Sequence, residues 1–246
     1  MHRVWPPEQA GPVDAAGLEE LYGYPGDRPW LVVNFVSSAD GAVEVAGTSR
    51  GLTNAADRQV YPLSSDLADV RLVGGRTAVV EGFRGVRPGD QDAELRKRHG
   101  LAAIPPIAVV TTGRTLPADA PVITDVLTPT IVVTCESAPE DLRREWAAAG
   151  AEVLVAGARS VDFTVARAAL AERGLCRVHC DGGPHLFGSL LAAGVVDELR
   201  LTVAPLLVSG VAGRIAEGAA IDPARLRLAS VLTEDDTLVL RYLLVR

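Results

Sequence analysis

Short apolar runs alternate with amphipathic segments along much of the chain. The alternation is clearest between residues 107 and 193, where runs rich in Val and Ile are separated by segments with helical spacing. It predicts strands at 107–111, 131–134, 152–155 and 178–180, and helices at 140–149, 161–171 and 184–193. Short buried strands separated by helices are typical of a parallel sheet covered on both faces.

The preceding part of the chain adds three elements of the same kind. A strongly apolar strand is predicted at 31–37, and a short buried strand at 70–73. Between them, Thr53 or Asn54 can cap a helix that continues through Val60, because side-chain oxygens at this position accept from the first free N–H groups.

The two ends depart from this pattern. Residues 199–205 and 238–244 alternate apolar and polar positions with a period of two, which predicts consecutive strands at an antiparallel edge. Residues 1–28 are rich in proline and predict an irregular leader with one short helix at 15–21. We therefore expect one α/β domain over residues 29–246, with a largely parallel central sheet flanked by helices.

Composition excludes several functional classes. Of the 246 residues, 48% are hydrophobic and 22% charged, which supports a substantial buried core. A net charge of −7 argues against nucleic acid as a partner. We find no run of about 18 uncharged apolar residues and no signal-peptide pattern, so we expect no membrane partner and a cytoplasmic location.

The three cysteines do not predict a disulfide framework or a metal site. Cys176 and Cys180 flank His179, which invites a zinc interpretation. However, no second pair of ligands has suitable spacing, and a strand would direct Cys180 and His179 to opposite faces. We expect reduced thiols and no metal.

The turn between strand 178–180 and helix 184–193 is a candidate anion site. Gly182 and Gly183 leave backbone N–H groups accessible, and Pro184 suits the first helical position. The helix dipole adds partial positive charge there, which favours a phosphate. The alternative is a simple tight turn, since the sequence here matches neither GxGxxG nor the P-loop pattern.

Four loops share one property, because each follows a predicted strand. They are 37–41 (SSADG), 73–77 (VGGRT) with Glu81 and Arg84 beyond it, 111–114 (TTGR) and 181–184 (DGGP). In an open α/β sheet such loops converge at the carboxyl ends of the strands. Glycines let the backbone approach a pyrophosphate and arginines bind ribose phosphates, so the loops together indicate a dinucleotide site.

The motifs SADG, VGGRTAV and DGGPHLFGSLLAAGVVDELRLTVAPLLVSG together resemble the reductase domain of riboflavin biosynthesis. The resemblance covers roughly residues 29–246, and the last motif is the most specific of the three. It implies a dihydrofolate reductase-like fold in a homodimer, here without the companion deaminase domain. It also implies NADPH-dependent reduction of 5-amino-6-(5-phosphoribosylamino)uracil to the ribitylamino compound.

The resemblance also implies a set of cofactor-binding positions. They are Ser37, Gly74, Arg76, Thr77, Glu81, Thr112, Gly182, Gly183, Pro184, His185, Leu186 and Phe187. Thr77 and Glu81 fall where the family contacts the nicotinamide nucleotide, and the backbone from Gly183 onward would hold the pyrophosphate. Arg76 lies beside the loop that recognises the adenosine phosphate in dihydrofolate reductases, which favours NADPH over NADH.

The resemblance also implies a set of substrate-binding positions, and at these positions the sequence departs more from the family. They are Asn34, Ser38, Asp40, Ser49, Thr53, Arg58, Arg84 and Asp181, with Asp181 and Glu81 as candidate catalytic groups. Arg58 would pair with a substrate phosphate, and Asp181 would accept hydrogen bonds from the substrate. Asn34 stands where the family commonly has lysine, Gly51 replaces a tryptophan, and residues 81–86 replace an acidic-Pro run and its arginine.

Two alternatives remain open for the substrate-binding part of the site. A pterin would need an acid on the first long helix, where Asp57 lies; the ordinary explanation of Asp57 is a first-turn carboxylate favoured by the helix dipole. A non-catalytic NADPH-binding protein would keep the glycine loops alone. A short-chain dehydrogenase is excluded, because Lys97 is the only lysine and no GxGxxG follows the first strand.

Overall fold

One mixed β-sheet organises the protein in the computed structural model, which describes residues 1–26 and 28–245. Within these residues the strands are β1 (His2–Trp5), β2 (Gly11–Pro12), β3 (Trp30–Ser38), β4 (Val70–Gly74), β5 (Ile107–Val110), β6 (Ile131–Thr134), β7 (Glu152–Val155), β8 (Arg177–Cys180), β9 (Glu198–Ala204), β10 (Leu226–Glu234) and β11 (Thr237–Leu244). The helices are α1 (Ala15–Tyr22), α2 (Asp57–Asp66), α3 (Gly75–Val80), α4 (Ala93–Arg98), α5 (Pro121–Thr124), α6 (Glu140–Ala148), α7 (Phe163–Glu172) and α8 (Pro184–Ala192).

The sheet has the order β2-β1-β10-β11-β9-β3-β8-β4-β5-β6-β7. From β9 to β7 every neighbouring pair is parallel, and from β9 to β2 every pair is antiparallel. The predicted α/β class, with a largely parallel sheet and antiparallel C-terminal edge strands, is therefore confirmed. None of the helices in the described part of the chain is long and apolar enough to cross a membrane.

The two faces of the sheet are chemically different around β3, β8 and β4. On one face Val33, Leu72 and Cys180 are buried beneath α7 and α8 in an apolar cluster. On the opposite face the register places Arg71 beside His179, and Asn34 beside Arg200. Successive residues of a strand point to opposite sides, so these four side chains form a polar layer.

Helix α2 covers this polar layer with polar groups of its own. Asp57, Tyr61 and Ser64 are spaced by four and three residues and therefore share one helix face. Asn54 accepts a hydrogen bond from the backbone N–H of Asp57 at 3.1 Å, which supports the predicted capping role at the start of this helix. The α2 side of the sheet thus forms a polar wall beside the strand ends.

The N-terminal segment is more regular than the sequence indicates. The expectation of an irregular leader is wrong, since β1 pairs with β10 in the register His2 to Thr233. The predicted short helix is confirmed as α1, whose first turn is capped by Asp14, and its Tyr22 is fully buried. Strand β1 escapes prediction because its partner β10 lies far along the sequence.

Further elements were not predicted, among them β10, α3 and α5. Strand β10 lies in sequence between the two segments that we expected to be consecutive strands, although β9 and β11 are neighbours in the sheet. The glycine segment after β4 is not a loop, because α3 begins at Gly75. Each of the remaining predicted strands and helices is found within a few residues of its expected bounds.

Candidate functional site

A cleft of about 1680 Å³ opens at the carboxyl ends of β3, β4, β5 and β8. Three of the four predicted loops converge there, as the topology of an open α/β sheet requires. The predicted site residues that line it are Asn34, Ser49, Thr53, Arg58, Gly74, Arg76, Thr77, Glu81, Arg84, Thr112, Asp181, Gly183, Pro184, His185 and Leu186. The structure therefore brings most of the implied cofactor and substrate positions together.

The loop after β3 does not join this cleft. Ser37 and Asp40 line a separate cleft of about 460 Å³, and Ser38 is buried beside them. Asp40 accepts hydrogen bonds from the Ser38 hydroxyl and from the backbone N–H of Ser209 at 2.8 Å, and these bonds lower its pKa to about 2. In this structure Asp40 joins the loop after β3 to the loop after β9.

Two residues of the glycine turn and helix α8 lie behind the cleft surface. Phe187 is 3% exposed and its ring centroid lies 5.5 Å from that of Phe35, so its side chain belongs to the core. The carbonyl of Gly182 accepts a hydrogen bond from the backbone N–H of Gly74 at 2.9 Å, which joins the end of β4 to the turn.

The turn itself leaves no room for side chains. A Cβ on Gly183 would collide with Thr77 Oγ1, and a Cβ on Gly182 would lie 2.9 Å from the ring of Phe35. Gly182 also has a φ of +86°, in the region that favours glycine. The backbone of the turn and the N-terminus of α8 consequently face the cleft without obstruction, which is the arrangement that a phosphate group requires. The residues present fit a dinucleotide cofactor.

Asp181 is held at the cleft floor by three neighbours. Arg71 Nε donates to its Oδ2 at 3.0 Å, the Tyr61 hydroxyl donates to its Oδ1 at 2.5 Å, and His179 Nε2 lies 3.2 Å from Oδ1. Burial raises the pKa of Asp181, but the charge of Arg71 and the contacts from Arg71 and His179 outweigh burial and hold it well below its usual range. Asp181 is thus a carboxylate at neutral pH, suited to accept hydrogen bonds and not to donate a proton.

A buried chain of hydrogen bonds continues from His179 into the core. The Ser64 hydroxyl lies 3.1 Å from His179 Nδ1, and Arg200 Nη1 donates to the same hydroxyl at 2.6 Å. Arg200 Nε then donates to Glu198 Oε1 at 2.7 Å.

These hydrogen bonds indicate which ring nitrogen of His179 carries the proton. Burial lowers the pKa of His179, so the ring is neutral and carries one proton. A bare Nε2 facing the carboxylate of Asp181 would be repelled, whereas an Nε2–H is attracted. The Ser64 hydroxyl accordingly donates to Nδ1, and its lone pairs remain available to Arg200.

Two further polar side chains in the cleft lack complete protein partners. Asn34 is only 7% exposed, and its amide makes no hydrogen bond within residues 1–26 and 28–245. Asp57 is 5% exposed; its Oδ1 has no hydrogen-bond partner in the described part of the chain. Burial raises the pKa of Asp57, although hydrogen bonds from Thr202 and Thr53 act in the opposite direction. A buried polar atom without a partner is costly, so Asp57 points to a ligand, and the Asn34 amide in the cleft lining is free to contact one.

Sequence reasoning missed Arg71 and Tyr61, and it gave His179 no role in the site. The signal available for Tyr61 was the spacing of Asp57, Tyr61 and Ser64 on one face of a helix. The signal for Arg71 was a charged residue inside the short apolar strand VRLVG. Neither signal identifies the partners, which come from strands distant in sequence.

The parallel sheet, the glycine turn at a helix N-terminus and the cleft beside them define a reductase fold of the dihydrofolate reductase type, which implies a nicotinamide cofactor. A family model described as the RibD C-terminal domain matches residues 29–240, and the chain belongs to that family. The resemblance seen in the sequence motifs is therefore confirmed.

Relatives with assigned activities support the same placement. The 2,5-diamino-6-ribosylamino-4(3H)-pyrimidinone 5′-phosphate reductase of Methanothermobacter thermautotrophicus is 30% identical over 227 residues, which cover 87% of this chain and 98% of that protein. The protein of the same name from Aquifex aeolicus is 29% identical over 187 residues, covering 75% of this chain and 80% of the relative.

Solved structures show the same fold. A pyrimidine reductase-like protein from Corynebacterium diphtheriae superimposes with a TM-score of 0.74 at 21% identity, covering 89% of this chain and 92% of that one. The riboflavin biosynthesis reductase Rib7 of Saccharomyces cerevisiae gives a TM-score of 0.65 at 15% identity, with coverage of 92% and 97%.

Proposed function

We propose that the protein is an NADPH-dependent reductase of a 6-ribosylaminopyrimidine 5′-phosphate in riboflavin biosynthesis. The observation that carries this proposal is the match to an archaeal reductase over 98% of the length of that relative. The substrate is either 5-amino-6-(5-phosphoribosylamino)uracil, as the motifs imply, or the 2,5-diaminopyrimidinone for which the relatives are named.

The glycine turn and α8 form the proposed cofactor seat. Backbone N–H groups at Gly183 and the start of α8 would hold the pyrophosphate, and Thr77 contacts the turn. Arg76 is exposed in the cleft lining, where its guanidinium is suited to the additional phosphate of NADPH. When bound, the reduced nicotinamide would supply a hydride, which together with one proton converts the ring-opened ribosyl group into a ribityl chain.

The proposed substrate half lies between α2 and the ends of β3 and β4. Arg58 is exposed in the cleft lining, where a substrate phosphate can remain partly solvated. Asn34 and Asp181 lie deeper and offer an amide and a carboxylate to the polar atoms of the ring or ribose. Glu81 is half-buried in the same lining and remains a candidate for proton transfer.

The direct test follows NADPH absorbance at 340 nm with each of the two ribosylaminopyrimidine phosphates. We expect oxidation of NADPH with at least one of them. Saturating NADPH should also raise the melting temperature far more than NADH does, and equal shifts would contradict recognition of the additional phosphate. Absence of turnover with both pyrimidines, together with NADPH binding, would favour a non-catalytic NADPH-binding protein.

A pterin substrate is the second candidate, and Asp57 is the observation that favours it. Its carboxyl is buried in the cleft lining with an unpartnered oxygen and a raised pKa, which suits contact with ring nitrogens. Oxidation of NADPH by dihydrofolate, but not by the pyrimidines, would select this alternative. We also propose a homodimer in the cytoplasm; sedimentation velocity tests the oligomeric state.

A further inference from the structure

Arg71 occupies an unusual position for an arginine, inside a short central strand at the floor of the cleft. Its side chain is 18% exposed, and the residue lines the cleft. Two of its nitrogens are fixed, since Nε donates to Asp181 at 3.0 Å and Nη2 donates to the Tyr61 hydroxyl at 3.0 Å. The plane of the guanidinium group is therefore set before any ligand arrives.

The third nitrogen, Nη1, has no acceptor among residues 1–26 and 28–245. Nη1 is also not fully buried, so a ligand in the cleft can reach it. The ring of Phe83 lies 5.3 Å from the guanidinium carbon, so an apolar aromatic surface adjoins the charge. A fixed donor beside a flat apolar surface is suited to an aromatic heterocycle.

The other arginines of the cleft differ from Arg71. Arg84 pairs with Asp90 at 2.9 Å and its side chain is 45% exposed. Arg58 and Arg76 are exposed. These arginines meet solvent at the mouth, which suits a phosphate that keeps part of its hydration. Arg71 alone combines a fixed orientation with a largely buried side chain among these four.

We propose that Arg71 is a substrate-contacting residue whose free Nη1 donates to a carbonyl oxygen of the pyrimidine ring and so selects rings that carry an acceptor at that position. The proposal rests on the function proposed above and names the part of the substrate that meets the cleft floor. Guanidinium groups only donate, so a ring with an amino group at that position would oppose donor to donor. Two donors that face each other are both left without an acceptor, which disfavours binding of the wrong ring.

The experiment compares two flat rings that differ in the groups concerned. 5,6-Diaminouracil carries two carbonyl oxygens, and 2,4,5,6-tetraaminopyrimidine carries amino groups in their places. Their affinities are measured by ligand-observed NMR titration in saturating NADPH. For the wild type we expect a preference of about 10-fold or more for the uracil, the size of one hydrogen bond to a charged group.

Arg71→Lys is the first variant, because it keeps a positive charge next to Asp181 but loses the fixed Nη1 donor. We expect the preference of this variant for 5,6-diaminouracil over the tetraaminopyrimidine to fall below about 3-fold, because most of the contribution of the Nη1 hydrogen bond is lost. Its KM for the pyrimidine phosphate should rise about 10-fold while its affinity for NADPH is unchanged. If this variant folds poorly, the double variant Arg71→Met with Asp181→Asn is compared with Asp181→Asn alone, and the preference should be lost only when Arg71 is also replaced. Arg87→Lys, whose parent arginine pairs with Asp125 outside the cleft lining, is the matched control.

The outcomes separate this inference from the proposed function. An unchanged preference in the folded variants, or no preference in the wild type, would overturn the role of Arg71 even if the enzyme turns over its pyrimidine. An effect seen only with phosphorylated substrate, and not with the free rings, would assign Arg71 to the phosphate and also overturn it. A preference that depends on Arg71, without turnover, would support the contact while refuting the reductase assignment.

Discussion

The buried pair Arg200 and Glu198 provides the sharpest test of how the polar layer is held. Both side chains are 1% exposed, and the pair is joined at 2.7 Å. Arg200 also donates to the Ser64 hydroxyl at 2.6 Å and to the backbone carbonyl of Tyr22 at 2.9 Å. Replacing Arg200 with Met keeps much of the volume but leaves all three acceptors without this donor.

The expected loss of stability follows from what remains around Glu198. Breaking a buried ion pair by removing one partner costs about 3–5 kcal/mol. Arg241 still lies 2.8 Å from Glu198 Oε1, and Trp30 Nε1 lies 3.2 Å from Oε2. Because the carboxylate keeps these two donors, we expect Arg200→Met to cost about 3 kcal/mol, the lower end of that range.

Urea denaturation at neutral pH, followed by circular dichroism, measures this loss. The matched control is Arg173→Met, since Arg173 pairs with Glu152 at 2.7 Å but the two side chains are 36% and 47% exposed. Exposed pairs of this kind contribute about 0–1 kcal/mol. A loss below about 1 kcal/mol for Arg200→Met, equal to that of the control, would refute the reasoning that the buried pair is a coupled unit.

The same pair predicts a pH dependence. Burial raises the pKa of Glu198, but Arg200 and Arg241 outweigh it and lower the pKa to about 2. A carboxyl with a lowered folded-state pKa stabilises the protein above its unfolded pKa, and this stability is lost as the pH falls through the folded value. We therefore expect the wild type to lose stability as the pH falls from about 4.5 towards 2, and Arg200→Met to lose less over that range. Parallel stability curves would contradict this assignment.

Three further substitutions test separate parts of the site. Gly183→Val should weaken NADPH binding at least 10-fold in calorimetry while the chain stays folded, because a Cβ there collides with Thr77 Oγ1. Retained affinity for NADPH would mean that the turn is structural only. Ser64→Ala should lower the free energy of unfolding by about 1–3 kcal/mol in urea denaturation, since it leaves the Arg200 donor and His179 Nδ1 without their shared partner. The ¹⁵N chemical shifts of the His179 ring should also change. Unchanged shifts would contradict the tautomer assignment. Asp181→Asn should reduce kcat/KM for the pyrimidine without changing NADPH affinity, and normal kcat/KM would exclude Asp181 from substrate contact.

The order of elements could be predicted because it depends on local pattern. Apolar runs of four or five residues and helical spacing between them are visible along the sequence, and the glycine turn follows from residue types alone. Strands β1 and β10 could not be predicted in this way. Strand β1 is stabilised by pairing with β10 across more than 200 residues of sequence. Strand β10 forms a local hairpin with β11, but its burial pattern shows little regular alternation.

The site shows the same division between local and distant signals. Gly183, Thr77 and Arg76 follow from motifs, whereas the partners of Asp181 follow from strand register. Arg71 is directly beside His179 only because β4 and β8 are neighbours, and no spacing along the chain encodes that pairing.

The chemical difference between the two sheet faces explains how the cleft keeps an ionised acid at its floor. An isolated carboxylate buried as deeply as Asp181 would be protonated, because burial disfavours the charged form. The donors that prevent this cannot lie on the apolar α8 side, where Leu72 and Cys180 pack into the core. They come instead from the α2 side, where Arg71, Tyr61 and His179 converge on the carboxylate. The polar layer is therefore the structural requirement for a fixed hydrogen-bond acceptor next to the proposed cofactor seat, and removing the Arg71 guanidinium should raise the pKa of Asp181.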